Sequence, residues 1–128
     1  MIKSEFDKIL SERIRKIETV LRSKSGEYSH NGDILFTFKQ ASIVNEQSMS
    51  MALWGMLTKH LISVMDLVNG RAKATQNIVD EKIGDLINYL ILLEAILKET
   101  KADTQSEAKS KTQNTGRDQW IERQMALR

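Results

Sequence analysis

The sequence predicts an all-α protein, a helical bundle of about four principal helices followed by a short C-terminal helix. Two observations favour this class. The 128 residues include no proline, and apolar residues recur at three- and four-residue steps over long stretches. We expect a helical domain over residues 1–99, a flexible polar linker or helix extension over residues 100–117, and a short docking helix over residues 118–128.

Composition excludes several classes of function. The chain has no cysteine, so disulfides, thiolate catalysis and cysteine-ligated metals are ruled out. A net charge of only +2 argues against specific nucleic-acid binding. We find no N-terminal signal region and no apolar run that we judge long enough to span a bilayer. The expected location is therefore the cytoplasm, without a membrane partner.

The first predicted helix, over residues 2–24, is amphipathic, and its many charges are expected to be solvated. A loop rich in turn-forming residues follows it, over residues 25–33. Tyr28 and His30 in this loop are candidates to stack on a nucleobase and to hydrogen-bond it. The alternative is that they are ordinary polar loop residues without a ligand.

The chain is organised around two long helical patterns, which Asn69 and Gly70 separate. The first, over residues 51–68, is apolar nearly all round and carries one thin polar stripe. Lys59, Ser63 and Asp66 form this stripe at positions i, i+4 and i+7. Such a helix has more apolar surface than a small monomer can easily cover. We therefore expect self-association into a dimer or a tetramer.

The second pattern repeats the design between residues 81 and 97. Glu81, Asp85 and Asn88 form its polar stripe at the same spacing. Charges on buried faces need partners, because an unpaired buried charge costs several kcal/mol. The polar residues of the two helices could therefore satisfy one another as an internal ion-pair network.

A polar cleft between the two helices is the other interpretation. In it, Asp66, Glu81 and Asp85 hold a hard divalent cation through carboxylate oxygens. Lys59 faces the phosphates of a nucleotide. Ser63 and Asn88 belong to the same stripes and are candidate nucleotide contacts.

Three segments, from Gly26 to Phe38, from Ala52 to Asp66 and from Asp80 to Leu93, carry a resemblance to a known family. The sequence over residues 20–97 resembles the nucleotide-modification-associated domain 1 group of small phage and prophage proteins, which is distantly similar to the MazG-like all-α nucleoside triphosphate pyrophosphatases. Those enzymes place acidic pairs around magnesium, and Ser63-x-x-Asp66 stands where they carry Glu-x-x-Glu.

The resemblance implies a nucleotide-handling protein of the host-cell cytoplasm, with Mg²⁺ as cofactor. One expectation is a magnesium-dependent, pyrophosphatase-like protein in which an activated water attacks phosphorus. The alternative is a non-catalytic anti-defence protein, which sequesters a host signalling nucleotide or blocks a host defence protein. A third possibility is a purely structural oligomer whose polar stripes are ion pairs.

Overall fold

The computed structural model describes residues 1–126, apart from the side chains of Tyr28 and of residues 109–118. It confirms the all-α class: the described residues form helices and turns without a β-strand. Residues 118–126 are helical, as predicted, and lie within the last helix. The four helices are α1 (Lys3–Tyr28), α2 (Phe36–Val44), α3 (Met49–Val68) and α4 (Gln76–Ala126).

The helix boundaries follow from local chemistry. The Ser48 hydroxyl accepts a hydrogen bond from the Met51 amide at 3.2 Å and so caps the start of α3. Gly70 follows α3 with a φ of 68°, in the left-handed region that favours glycine, as the sequence predicts for a helix-ending residue. The Thr75 hydroxyl accepts from the Ile78 amide at 3.4 Å at the start of α4.

The chain divides into two compact units, residues 1–96 and residues 97–128. The core of the first unit is an apolar cluster contributed by α2, the N-terminal half of α3 and the middle of α4. Leu53 and Ile96 are completely buried in it. The buried members are Leu35, Phe38, Leu53, Leu57, Leu92 and Ile96.

Helix α3 corrects one expectation about membranes. Its 20 residues have a mean hydropathy of 1.2, so by length and composition alone it is long and apolar enough to cross a bilayer. The expectation that no apolar run reaches that length is therefore wrong. A single helix of this kind is weak evidence for a membrane span, because the core helices of soluble proteins pass the same test; only 17% of the apolar stretch of α3 is buried.

The second unit, by itself, is helical over residues 97–126. Trp120, Ile121 and Met125 are exposed, and together with Gln124 they line one shallow depression. Helical spacing within the predicted docking helix over residues 118–128 puts these four residues and a fifth on one side. The fifth, Leu127, lies outside the described residues.

Candidate functional site

A polar groove lies between α1 and α4 in the first unit, and it encloses about 300 Å³. The two helices run in the same direction, since Lys16 contacts Asp80 and Lys24 lies beside Asn88. Basic residues come from α1 and acidic residues from α4. The lining residues are Arg13, Lys16, Ile17, Val20, Lys24, Asp80, Glu81, Gly84, Asp85 and Asn88.

At one end of the groove, two cationic side chains of α1 form ion pairs with Asp80. Arg13 Nη2 lies 3.0 Å from Asp80 Oδ1, and Lys16 Nζ lies 2.7 Å from Asp80 Oδ2. The hydrogen bond from Lys16 lowers the pKa of Asp80 below its ordinary value, and the same bond raises the pKa of Lys16. Both oxygens of Asp80 are thus engaged, which makes this end of the groove an interhelical clamp.

Gly84 makes room for the clamp. A Cβ atom at this position would lie 2.6 Å from Arg13 Nη1, closer than two such atoms can approach. The absence of a side chain at Gly84 therefore lets the Arg13 guanidinium lie across α4 and reach Asp80, one helical turn earlier.

In the middle of the groove, Asp85 of α4 also contacts α3. Its Oδ2 lies 3.6 Å from Nδ1 of His60, which is on α3. The His60 ring packs against the ring of Tyr89 with centroids 4.6 Å apart. His60 is therefore held between an aromatic ring and a carboxylate.

The far end of the groove contains a buried polar atom without a hydrogen-bond partner among the described residues. Asn88 Oδ1 is buried and accepts no hydrogen bond within the described part of the chain. It lies where the main groove continues into a small recess lined also by Asp85, Tyr89 and Leu92. Lys24 lines both cavities and forms no ion pair with any described residue. A buried acceptor thus lies close to an available cation.

The three predicted metal ligands are not assembled as a set. Glu81 and Asp85 both line the groove, but Asp66 lies at the end of α3, 3.7 Å from Arg71. Glu81 is bonded to the neighbouring Lys82 at 2.8 Å, which lowers the pKa of Glu81. Among the side chains that the structure describes, no group of three or more histidines, aspartates or glutamates is placed to hold a metal ion.

The remaining predicted nucleotide contacts lie away from the groove lining. Lys59 is exposed on α3, and the Ser63 hydroxyl donates to the Lys59 carbonyl at 3.1 Å. His30 is exposed in the turn before α2, with its ring 4.9 Å from that of Phe36. The Tyr28 side chain lies outside the described residues. The expected ion-pair network does not link Lys59 to the acidic residues. Among the described residues, Asp66 pairs with Arg71, Glu81 with Lys82 and Asp85 with His60.

Sequence reasoning missed the basic wall of the groove, because it assigned the charges of α1 to solvent. One signal was available: Arg13 lies at i+4 from Ile9 and at i−4 from Ile17, in the middle of the apolar face of α1. A charge in that position needs a partner on a neighbouring helix. Gly84, in an otherwise large-residue stretch, marks where the partner helix makes room.

Comparisons of the chain with protein-family models, with curated proteins and with solved structures give no match. The fold and the site therefore define the protein only as an all-α protein with a charged groove in its first unit.

Proposed function

We propose that the first unit binds a nucleotide in the groove between α1 and α4. One observation carries this proposal: the buried Asn88 Oδ1 has no hydrogen-bond partner in the described protein and adjoins a cavity. An unsatisfied buried acceptor costs about 1 to 3 kcal/mol. A ligand that donates a hydrogen bond there recovers this free energy on binding.

A nucleotide has the chemistry that complements this end of the groove. The exocyclic amino group of a base or a ribose hydroxyl donates to the amide oxygen of Asn88 and to the carboxylate of Asp85. Lys24, which is available, neutralises phosphate. The cavity volume of about 300 Å³ is at the lower end of the range of small-molecule sites. The ligand would therefore leave part of its phosphate chain exposed beside Lys24.

Binding without hydrolysis is the form of the proposal that the geometry favours. A magnesium-dependent hydrolase needs a metal site, and the set of Asp66, Glu81 and Asp85 is not assembled in the first unit. A non-catalytic protein that sequesters a nucleotide, including a host signalling nucleotide in the cytoplasm, needs only the groove. Blocking of a host defence protein is a different activity, for which no groove is required.

Magnesium-dependent hydrolysis is the second candidate, because Glu81 and Asp85 line the same groove one helical turn apart. Mg²⁺ is commonly held by one or two carboxylates together with substrate phosphates. Two carboxylates therefore fit a metal that arrives with the nucleotide. When bound, such a metal would polarise phosphate and activate water.

A thermal unfolding screen tests the binding proposal. Ribonucleoside and deoxyribonucleoside triphosphates and cyclic nucleotides are added with and without Mg²⁺. A ligand at one hundred times its Kd stabilises the native state by about 2.7 kcal/mol. We expect one nucleotide class to raise the Tm of the wild type and of Lys8→Ala, a control at an exposed lysine of α1. The rise should be lost in Asn88→Ala and reduced in Lys24→Ala.

Recovery of the ligand separates the two candidates. After incubation of excess nucleotide with protein and Mg²⁺, the mixture is heat-denatured and chromatographed. Intact ligand, retained before denaturation at a fixed ratio to protein, identifies the binder. Pyrophosphate that accumulates past one equivalent, and that is lost in Asp85→Asn, identifies the hydrolase. If no nucleotide changes the Tm, the nucleotide proposal fails and the groove is a structural charge cluster.

A further inference from the structure

Helix α3 has a second apolar face, opposite the one that packs in the core. At 100° per residue, the centre of this face lies about 130° around the helix from Leu53 and Leu57. Its large side chains are exposed: Ile62 to 52% and Met65 to 49%. No charged residue lies along its centre. Its members are Met51, Trp54, Gly55, Thr58, Ile62 and Met65.

The centre of this face also lets another backbone approach. Apart from its chain neighbours and the nearby backbone of α3, no atom of the described residues lies within 4 Å of where a Cβ would be added at Gly55. Glycine is among the least favourable residues inside a helix, and no neighbouring group in the first unit requires its small size here. Together with Thr58 it leaves a shallow place between larger side chains, which suits a second helix.

The charges beside the face identify a copy of the same chain as the partner. Lys59 and Asp66 flank the same edge of α3, seven residues apart. When two identical helices pair antiparallel about a two-fold axis, equivalent edges meet. If the axis passes between Ile62 and Ser63, Lys59 of each copy lies opposite Asp66 of the other.

This register also keeps like charges apart. The two Lys59 positions are then separated by seven residues along the axis, or about 10 Å. An axis at Thr58 would instead place the two lysines almost opposite each other. Asp66 is available to pair with Lys59 of the second copy, because its contact with the exposed Arg71 is long, at 3.7 Å. We propose that α3 pairs with α3 of a second copy, antiparallel about an axis between Ile62 and Ser63.

A lipid bilayer covers this face less well than a second copy does. Lys59, His60 and Asp66 all lie within the 20-residue stretch, and ionisable groups are expensive in a bilayer. A pairing of two copies leaves Lys59 and Asp66 at the edge of the contact, in water, and leaves His60 on the other side of α3, against Tyr89 and Asp85. It buries Ile62 and Met65 of both copies at its centre.

Sedimentation equilibrium of the full chain tests the interface. We expect the wild type to dimerise at about 50 μM, in the range of a stable interface. Ile62→Glu should weaken the dimer at least about tenfold with unchanged helical circular dichroism, because Ile62 is already half exposed. Ile9→Glu is the matched control, since Ile9 on α1 is exposed to the same extent. It should dimerise like the wild type.

Charge exchange and cross-linking test the register. Lys59→Asp alone should weaken the dimer, and adding Asp66→Lys should restore it. The chain has no cysteine, so single-cysteine variants report proximity directly. Ile62→Cys, next to the axis, should form an interchain disulfide faster than Thr58→Cys. If Ile62→Glu fails to fold, the cross-linking comparison still decides the proposal.

Three results would overturn the proposal. One is a wild-type monomer throughout the accessible concentration range. Another is a dimer that Ile9→Glu dissociates and Ile62→Glu does not, which would assign the contact to α1. The third is a monomer in solution that binds phospholipid vesicles through α3, with binding lost in Ile62→Glu, which would make the bilayer the partner.

Discussion

The two ends of the first unit are built from different chemistry. Where α2, α3 and α4 meet, apolar side chains such as Leu53 and Leu57 are removed from water. Along α1 and α4, Asp80 is bonded by two cations, and Asn88 Oδ1 is buried without a partner among the described residues. Burial of apolar area stabilises without directional requirements, whereas polar groups stabilise only when paired. Apolar packing at the core end therefore stabilises the fold, whereas the groove end retains a buried hydrogen-bond acceptor that no described residue uses.

The largest expected effect is at the core end. Leu53→Ala removes a completely buried side chain and should lower the free energy of unfolding by about 2 to 5 kcal/mol. Ile9→Ala, at an exposed position of α1, should change it by at most about 0.5 kcal/mol. Urea denaturation of both variants measures the difference. Equal losses would contradict the location of the core.

The groove end should respond in the opposite direction at Asn88. Asn88→Leu replaces an unpaired buried acceptor by an apolar group and should raise the free energy of unfolding by about 1 kcal/mol. It should also abolish stabilisation by nucleotide. Asn77→Leu, at an exposed position near the start of α4, should do neither. Destabilisation by Asn88→Leu would mean that the amide oxygen is satisfied in the folded protein.

The clamp on Asp80 predicts a dependence of stability on pH. Because its pKa is lowered in the fold from an ordinary 3.8, mainly by the Lys16 hydrogen bond, its contribution is complete above that ordinary value. It is lost as the pH falls through the lowered pKa. Asp80→Asn should therefore cost about 1 kcal/mol at neutral pH, near the upper end for exposed pairs, and less as the pH falls below 3.8.

The raised pKa of Lys16 predicts the alkaline counterpart. Its contribution is complete below its ordinary value of 10.5 and is lost as the pH rises through the raised pKa. Urea denaturation of the wild type and Asp80→Asn at acidic, neutral and alkaline pH measures the loss of stability on both the acidic and the alkaline side. Asp103→Asn, an exposed change in the second unit, should differ little from the wild type throughout. A pH-independent gap for Asp80→Asn would refute the clamp.

The smallest effect is expected at Gly84. Alanine there gains about 1 kcal/mol of helix propensity but displaces the Arg13 guanidinium, whose Nη1 lies 2.6 Å from the new Cβ. Since Lys16 still holds Asp80, the two terms should nearly cancel. Equilibrium unfolding of Gly84→Ala in the wild-type and Arg13→Ala backgrounds separates them. The substitution should be more stabilising where Arg13 is already absent.

The helical class and the end of α3 could be predicted from the sequence, whereas α1 ends at Tyr28 rather than at residue 24 and α4 runs without a break from Gln76 to Ala126. Apolar periodicity and the lack of proline specify helices, and Gly70 ends α3 where the pattern breaks. The stripe of Glu81, Asp85 and Asn88 was also predictable, and all three residues line one groove. These features are local, since they depend on residues within one or two turns of one another.

Which helix faces that stripe was decided only by the tertiary structure. Periodicity gives the direction of a side chain around its own helix but not the neighbour that it meets. The stripe was expected to face Asp66 on α3; it lines a groove with Arg13, Lys16 and Lys24 of α1 instead. That choice depends on the parallel packing of α1 on α4, with Arg13 lying across Gly84, and it joins positions more than sixty residues apart in the chain.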